Sequence, residues 1–418
     1  MLCILAGYVG IEFVRIHVVL AQITNVNVVL DGGVFGESRK VLALQIGMTK
    51  ILYVVSTLKR CGPTNLLYNL IKYMDKSVFK PVLITLSPEP KDSRWQEFEK
   101  LGVELYTLGL SRIKGLFCAV SKLKKIISEL DVDIVHTLGI RADAIAAMRL
   151  GGRMTVATLC NCPCYDYTMR YGKIAGHLMA IHHLKMLRRI KHPVAVSNSV
   201  STTLSEKNNL TIDVIHNGVD SDVFYPPVSN EFKQELRRNL GIPLTKKVFI
   251  SVGHLTALKD PLTIVKAFQD KNIPSDCYLV VIGDGPLLSY CQKYGNSDNM
   301  VFFGRVPSVT EYLQACDFFV SSSKTEGLPG APMEAIACGL PCVLSDIEPH
   351  REIIEYNHKS GKLFETKNVR IMVSKINEII RDDYSEMSRA AISIISDSLN
   401  AKAMSEKYQG LYLRICTN

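Results

Sequence analysis

The sequence predicts an α/β protein of two doubly wound domains, on three observations. From Met48 onward, short apolar segments alternate with helical ones. The apolar segments lack the polar alternation of half-exposed strands, which is typical of parallel sheets covered on both faces. The alternation stops near Pro226 and resumes at Lys247 in a chain of 418 residues, which is long enough for two domains of about 150 to 200 residues.

Each predicted strand is a short apolar run bounded by Gly, Pro, Asn, Asp or Ser. The first domain has KILYVVS, PVLITLS, VELYTLG, DIVHTLG, TVATLCN, PVAVSN and DVIHNG, and the second has KVFISVG, LVVIGDG, VFFGR, DFFVSSS, PCVLSD and GKLFE. We therefore assign residues 48–225 to the first domain and 226–400 to the second, with a C-terminal helix over 401–418 that returns to the first domain. The carboxyl ends of both sets of strands should face a common cleft, where open α/β sheets bind ligands.

Residues 1–47 are predicted to be an extension of unclear structure without a role in function. The segment is apolar, but Glu12 and Arg15 interrupt it. Its longest uncharged run is 15 residues, whereas a membrane-spanning helix needs about 20.

Charge and cysteine content narrow the class of protein. With 49 basic and 40 acidic residues, the chain suits an anionic ligand or an anionic membrane surface. Aromatic residues do not interleave with the basic runs as they do in stacking platforms, so we predict no nucleic-acid partner. The 12 cysteines show no disulfide-like spacing, which indicates a reducing, cytoplasmic compartment. Only CNCPC, residues 160–164, clusters cysteines, and we interpret these as thiols near a loop rather than as a metal site.

The segment EGLPGAPMEAIACGLP, residues 326–341, predicts a ligand site. Pro332 suits a first helical turn, Gly339 suits a helix end and Pro341 prevents continuation. The free backbone N–H groups at the start of this short helix would attract an anionic phosphate. Glu326 and Glu334 lie on either side of that start.

The sequence predicts neither a dinucleotide-binding site nor a P-loop nucleotide site. In IGDGPLLS, Gly283 and Gly285 are followed by Leu288 where a dinucleotide fingerprint needs a third glycine, and GxxxxGK[ST] is absent from the sequence. A doubly wound phosphate-binding domain without those fingerprints indicates a nucleotide sugar.

Four segments in the same order resemble the retaining family 4 glycosyltransferases of GT-B fold, of the type that builds bacterial surface polysaccharides. They are VSNSVSTTLSEKNNLTIDVIHNGVDSDVFYPP, VGHLTALKDPLTIVKAF, VVIGDGPL and SSSKTEGLPGAPMEAIACGLPCVLSD. The resemblance extends from Met48 to the C-terminus. It implies two Rossmann-like domains that face a cleft.

The resemblance also implies roles for residues of the second domain. Glu326 would contact the transferred sugar, Glu334 the ribose hydroxyls, and Lys259 would neutralise the diphosphate leaving group. The remaining donor-binding residues implied are Gly283, Gly327, Leu328, Pro329, Gly330 and Ala331.

Three further assignments match the family pattern less closely. His254 stands where the family usually has arginine, so either Arg305 or Lys259 alone would carry the phosphate charge. In the first domain, His136 matches a family histidine near the sugar hydroxyls and is expected at the cleft. Gly62 falls where the family has a glycine-rich turn after the first strand, near the donor phosphates and the acceptor, so the resemblance implies that it binds the donor.

Family resemblance implies transfer with retention of anomeric configuration, from a UDP- or GDP-sugar to a glycan, without a metal or other cofactor. Two alternatives stay open. A catalytically silent GT-B binding subunit is suggested by His254, and a nucleotide-sugar epimerase would release free sugar.

The acceptor must be inferred from the first domain. Residues 170–192 carry six Lys or Arg and no acid, interleaved with apolar residues, and SRIKGLFCAVSKLKKI adds five more basic residues. Such a helix either lies on the inner face of the plasma membrane, with a lipid-linked glycan as the acceptor, or packs one face in the core and exposes a basic face to solvent.

Overall fold

A computed structural model describes residues 48–148, 153–295 and 297–417. The predicted extension over residues 1–47 lies outside the described residues. The strands of the first domain are β1 (Thr49–Val55), β2 (Phe79–Thr85), β3 (Glu104–Thr107), β4 (Ile134–Leu138), β5 (Met154–Leu159), β6 (His192–Ala195) and β7 (Asp213–Val214). Those of the second are β8 (Lys247–Val252), β9 (Cys277–Ile282), β10 (Met300–Gly304), β11 (Phe318–Ser321), β12 (Cys342–Ser345) and β13 (Gly361–Phe364).

Helices connect the strands in both domains. The first domain contains α1 (Gly62–Lys72), α2 (Trp95–Lys100), α3 (Arg112–Leu130), α4 (Ile140–Ala146), α5 (Pro163–Tyr171), α6 (Lys173–Leu187) and α7 (Asn198–Asn208). The rest of the chain contains α8 (Asn230–Leu240), α9 (Pro261–Phe268), α10 (Leu288–Tyr294), α11 (Thr310–Ala315), α12 (Gly330–Ala337), α13 (Glu348–Glu355), a 3₁₀ turn (His358–Ser360), α14 (Val369–Ile379), α15 (Tyr384–Asp397) and α16 (Ala401–Thr417).

The strands form two parallel sheets, which confirms the predicted fold class. The first sheet has seven strands in the order β3-β2-β1-β4-β5-β6-β7, and the second has six in the order β10-β9-β8-β11-β12-β13. In each sheet the order reverses beside the first strand of the domain, β1 or β8. Ligands of open α/β sheets bind outside the carboxyl ends of the strands at such a reversal.

Both faces of the first sheet are covered, as the continuous apolar strands predict. Ile51 and Tyr53 of β1 face one buried cluster, and Leu52 and Val54 face another. The first of these clusters includes Tyr412 of α16. The C-terminal helix therefore contributes to the core of the first domain.

Helix α6 differs from the predicted basic amphipathic helix. Its buried side includes Leu184 and Leu187, but Ile174, Leu178 and Ile181 are exposed, at 81%, 63% and 39% of their surface. The exposed face thus carries apolar side chains beside the basic Lys173 and Lys185, and is more apolar than the predicted solvated basic face. Among the described helices, none has both the length and the apolar composition needed to cross a bilayer.

Candidate active site

Helix α12 begins and ends where its sequence predicts. Pro329 is extended and precedes the first helical residue, Gly330, while Pro332 occupies the first turn. The helix stops before Gly339, which adopts a left-handed φ of 80° that glycine tolerates without strain. The N-terminus of α12 thereby follows the carboxyl end of β11, with Glu326 in the connecting loop.

Lys259 and Glu326 form an ion pair at the carboxyl edge of the second sheet. Lys259 lies in the loop between β8 and α9, and Glu326 in the loop after the neighbouring strand β11. Burial alone would raise the pKa of Glu326, but the adjacent Lys259 ammonium outweighs it and holds that pKa below its usual value. Glu326 is therefore ionised at neutral pH.

Glu334 is in a different electrostatic environment. It lies in α12, and within the described part of the chain its carboxylate makes no hydrogen bond or ion pair. Burial without a partner raises its pKa to about 7. The two glutamates that frame the helix start thus differ in protonation near neutral pH.

A small cavity of about 20 Å³ lies beside the Lys259–Glu326 ion pair. It is bordered by Gly253 after β8, by Lys259 and Glu326, and by Ala331 and Pro332 at the start of α12. A cation, a carboxylate and a helix N-terminus therefore meet at one point, as the sequence predicts. The lysine and the helix N-terminus both favour an anionic group at this point, such as a phosphate.

The loops after β8 and β9 touch through their backbones. Gly283 has a φ of 130°, and a Cβ there would lie 1.9 Å from the carbonyl oxygen of Gly253. Only glycine permits this approach. Gly283 therefore shapes the edge of the site rather than offering a side chain to it.

His254 and Arg305 both contact Asp284 instead of lining the small cavity. His254 Nδ1 lies 2.7 Å from the Asp284 carbonyl oxygen, and Arg305 Nε lies 3.3 Å from its carboxylate. Arg305 also bridges the domains, with Nη1 2.9 Å from Asp92 Oδ2. Lys259 is therefore the better placed of the two cations considered for the diphosphate.

The expected position of His136 at the cleft is wrong. His136 is fully buried in β4, with Nδ1 2.6 Å from the Tyr412 hydroxyl and Nε2 2.8 Å from the Thr158 hydroxyl. Burial lowers its pKa to about 3, so it stays neutral. Both ring nitrogens already have partners, and the histidine holds α16 to the first sheet instead of reaching a sugar.

Gly62 begins α1 and is exposed at the carboxyl edge of the first sheet. Its neighbours Cys61 and Pro63 line a second, larger cavity of about 340 Å³. Sequence reasoning identified Gly62 but not this cavity, which is built from the ends of β1, β4 and β5 together with α5. The thiols of Cys160, Cys162 and Cys164 nearby are free.

The loop after Glu326 is held by the first domain, which sequence reasoning missed. A Cβ on Gly327 would lie 1.8 Å from the carbonyl oxygen of Cys160, so the two backbones are in direct contact. The Ser197 hydroxyl donates to the Gly327 carbonyl at 2.9 Å, and Asn217 Nδ2 donates to the Leu328 carbonyl at 3.1 Å. Ser197 and Asn217 lie within the VSNSV and HNGVD motifs, and these motifs were the sequence feature from which the contact could have been predicted.

Glu352 is a second interdomain contact that was missed. Its carboxylate accepts from the backbone N–H groups of Asn198 and Ser199 at 2.7 and 3.0 Å, and lies 2.7 Å from His216 Nε2. An acidic side chain from α13 thus caps the N-terminus of α7 across the cleft.

Comparison with known proteins identifies the class from the fold. The Anabaena protein HepE, solved in complex with UDP, superposes with a TM-score of 0.72 at 18% identity, covering 87% of this chain and 99% of that one. This likeness, together with two facing doubly wound domains, defines a GT-B fold. The class is therefore that of the GT-B proteins.

Family models and relatives then identify the family. The model for Glycosyltransferase Family 4 matches residues 61–223, and that for Glycosyl transferases group 1 matches residues 232–394. The UDP-Gal:alpha-D-GlcNAc-diphosphoundecaprenol alpha-1,3-galactosyltransferase of Escherichia coli is 26% identical over 74% of this chain and 82% of its own length. The O-antigen biosynthesis glycosyltransferase WclY of Escherichia coli is 22% identical over 87% and 98%. The chain belongs to the family 4 glycosyltransferases of GT-B fold, as its motifs predict.

Proposed function

We propose that this glycosyltransferase moves a sugar, with retention of anomeric configuration, from a nucleotide-sugar donor to a lipid-linked glycan in bacterial surface-polysaccharide synthesis. The observation that carries the proposal is the Lys259–Glu326 pair beside the N-terminus of α12. The family itself supports retention, and the UDP complex of HepE and the substrates in the name of the galactosyltransferase support a UDP-sugar and a diphosphate-linked acceptor.

Donor binding would separate Lys259 from Glu326 and give each a new partner on the donor. The diphosphate would take Lys259 and the backbone N–H groups at the start of α12, and the sugar hydroxyls would take the Glu326 carboxylate. Glu334 would accept hydrogen bonds from the ribose hydroxyls. These groups are held in place before the donor binds, and fixed charges and dipoles stabilise developing charge more strongly than mobile water does.

In the proposed reaction, the bond between the anomeric carbon and the diphosphate oxygen breaks while the acceptor oxygen bonds to that carbon on the same face. The acceptor proton passes to the departing phosphate oxygen. Negative charge grows on the diphosphate, where Lys259 stabilises it without a metal. Glu326 orients the sugar and forms no covalent bond with it.

Peripheral membrane contact is part of the proposal. The exposed apolar face of α6 is flanked by the basic residues Lys173, Lys185 and Arg189. Exposed apolar area beside basic side chains binds anionic bilayers by insertion and by charge attraction together. This arrangement would bring the first domain to the surface that carries a lipid-linked acceptor.

The test is a transfer assay with UDP-glucose, UDP-galactose, UDP-N-acetylglucosamine and GDP-mannose against monosaccharides linked through diphosphate to short polyprenyl or alkyl chains. We expect transfer from a UDP-sugar, an α-linked product by NMR, and a loss of at least about 10²-fold in Glu326→Ala. UDP affinity in that variant should stay within a few fold of the parent, and Lys271→Ala, an exposed change outside the cleft, is the matched control.

Other results would contradict the proposal. Release of free sugar without transfer would favour an epimerase, and donor binding without turnover would favour a silent subunit. Full transfer by Glu326→Ala would remove the assigned role of this carboxylate.

A further inference from the structure

The larger cavity of about 340 Å³ lies in the first domain and shares no lining residue with the small cavity at Lys259 and Glu326. Its volume is within the range of about 300 to 1,000 Å³ found for small-molecule sites. Residues from separate strand ends and from α5 line it, among them Ser56, Cys61, Gly139, Asn161, Tyr167 and Tyr171. Polar groups and two tyrosine rings suit a sugar, which presents hydroxyls at its edge and C–H groups on its faces.

A chain of buried hydrogen bonds ends at this cavity. Thr137 Oγ1 donates to Asp143 Oδ1 at 2.5 Å, and Asp143 Oδ2 lies 2.8 Å from His183 Nε2. His183 Nδ1 lies 2.8 Å from the Tyr167 hydroxyl. Asp143, His183 and Tyr167 all border the cavity, but Asp143 is fully buried and His183 is 4% exposed, whereas Tyr167 is half-buried.

The order of donors in this chain is set by Asp143. A carboxylate can only accept, so His183 donates from Nε2, and in that tautomer Nδ1 accepts from the Tyr167 hydroxyl. Burial raises the pKa of Tyr167, so its hydroxyl keeps its proton. The lone pairs of that oxygen remain available to a hydroxyl in the cavity.

Close packing of α5 on α6 creates the contact between Tyr167 and His183. A Cβ on Gly176 would lie 2.3 Å from the carbonyl oxygen of Tyr167, so the absent side chain lets the two helices touch. The rings of Tyr167 and His183 are stacked with centroids 5.8 Å apart. The orientation of Tyr167 is therefore fixed by backbone packing as well as by hydrogen bonds.

The cavity is next to the donor loop. Cys160 and Asn161 line it, and the same two residues contact Gly327, which follows Glu326 directly. Helix α5, which lines the cavity, and α6, which packs against α5, present the exposed apolar residues Met169 and Ile174. A molecule in the cavity would thus be close both to the donor loop and to the helices proposed to meet the membrane.

We propose that this cavity binds the terminal sugar of the acceptor, and that the Tyr167 hydroxyl, held by His183, Asp143 and Thr137, accepts a hydrogen bond from that sugar and orients it toward the donor loop. The inference rests on the proposed function. It assigns binding to Tyr167 and a positioning role to His183 and Asp143, which border the cavity but are almost fully buried and hold the Tyr167 hydroxyl through their own hydrogen bonds.

The experiment compares Tyr167→Phe with the parent, using the full chain and the best donor and alkyl-diphosphate-linked acceptor of the transfer assay. Loss of one hydrogen bond should raise the acceptor KM about five- to tenfold. The donor KM and the rate of UDP release without acceptor should stay within twofold. Tyr165→Phe, on the same helix but exposed and outside the cavity lining, should leave every constant unchanged.

His183→Gln tests the positioning role. It should raise the acceptor KM to a similar degree, and combining it with Tyr167→Phe should add little, because both changes disable the same hydroxyl. An acceptor KM within twofold of the parent in Tyr167→Phe, while the parent transfers sugar, overturns this inference alone. A parent chain that transfers no sugar overturns the proposed function and this inference with it.

Discussion

At the residue scale, the site depends on how two nearby glutamates are charged. Glu326 is ionised because Lys259 compensates its burial, whereas Glu334 is half-buried, has no partner among the described residues and has a pKa of about 7. A buried carboxylate without a partner is unfavourable when it ionises. Glu334 is therefore expected to reduce stability in the free enzyme while being available to accept hydrogen bonds from a ligand.

Glu334→Gln should separate these two effects. Folding raises the pKa of Glu334 above its ordinary value of 4.5, so the folded state keeps a proton that the unfolded state has lost, and the free energy of unfolding falls as the pH rises from about 4.5 to 7. The neutral glutamine avoids this loss. The variant should be more stable than the parent at pH 8, by up to about 3 kcal/mol, and about equally stable at pH 4.5, by urea denaturation.

The same variant should bind UDP more weakly at pH 8, because a hydrogen bond to a charged group is worth roughly 1.5 to 3 kcal/mol. Glu235→Gln, an exposed change on α8, is the control and should alter neither quantity. Equal pH profiles of stability for Glu334→Gln and the parent would show that Glu334 is not a strained carboxylate.

At the scale of elements, helix α6 combines two apolar faces with different tasks. Its inner face places Gly176 and His183 against α5 and α4, and its outer face exposes Ile174, Leu178 and Ile181. An exposed apolar stripe of this kind on one helix marks an interaction site more often than a solvated surface.

Replacing Ile174, Leu178 and Ile181 together with serine should reduce binding to anionic vesicles at least tenfold, because the inserted apolar area is lost. Changing Lys185 and Arg189 to glutamine should weaken binding mainly at low salt, since charge attraction to the bilayer is screened. Both are measured by co-sedimentation with phosphatidylglycerol vesicles.

Val228→Ser, at an exposed apolar residue in the connection between the domains, controls for a general change in hydrophobicity. Binding of the triple serine variant equal to that of the parent would show that the outer face of α6 does not meet the membrane.

At the scale of the whole molecule, the donor loop belongs to the second domain but is held by the first. Gly327 lies against the Cys160 backbone, Ser197 and Asn217 donate to the loop, and Arg305 pairs with Asp92 across the cleft. Closure of the domains and the shape of the donor loop are therefore coupled.

Gly327→Ala should disrupt this coupling. Its Cβ would lie 1.8 Å from the Cys160 carbonyl oxygen, and neither backbone can yield as a flexible side chain would. We expect transfer to fall by about 10²-fold or more, because a 1 Å misplacement of reacting groups has effects of that order. Small-angle scattering should show a larger radius of gyration than in the parent.

UDP binding by the second domain should largely persist in Gly327→Ala, since Lys259 and Glu334 do not depend on the contact with Cys160. Gly410→Ala, in α16 with no atom within 4 Å of the added Cβ, is the control and should keep parental activity and compactness. Full activity in Gly327→Ala would show that the enzyme works in a more open arrangement.

The sequence by itself determined the secondary-structure elements and those residues of the site that are close together along the chain. Every predicted strand corresponds to an observed one, because buried parallel strands are continuous apolar runs between turn residues. Glu326, Glu334 and the start of α12 could be predicted together because they are neighbours along the chain.

Only the tertiary structure decided what depends on packing between distant segments. His136 was expected at the cleft, but it lies in the middle of β4, where α16 covers the sheet and the Tyr412 hydroxyl contacts its ring. The chain from Thr137 through Asp143 and His183 to Tyr167 joins four elements, and the Gly327 contact joins two domains. A sequence shows the order of residues but not these distances, because close contact arises only when the helices and sheets are packed together.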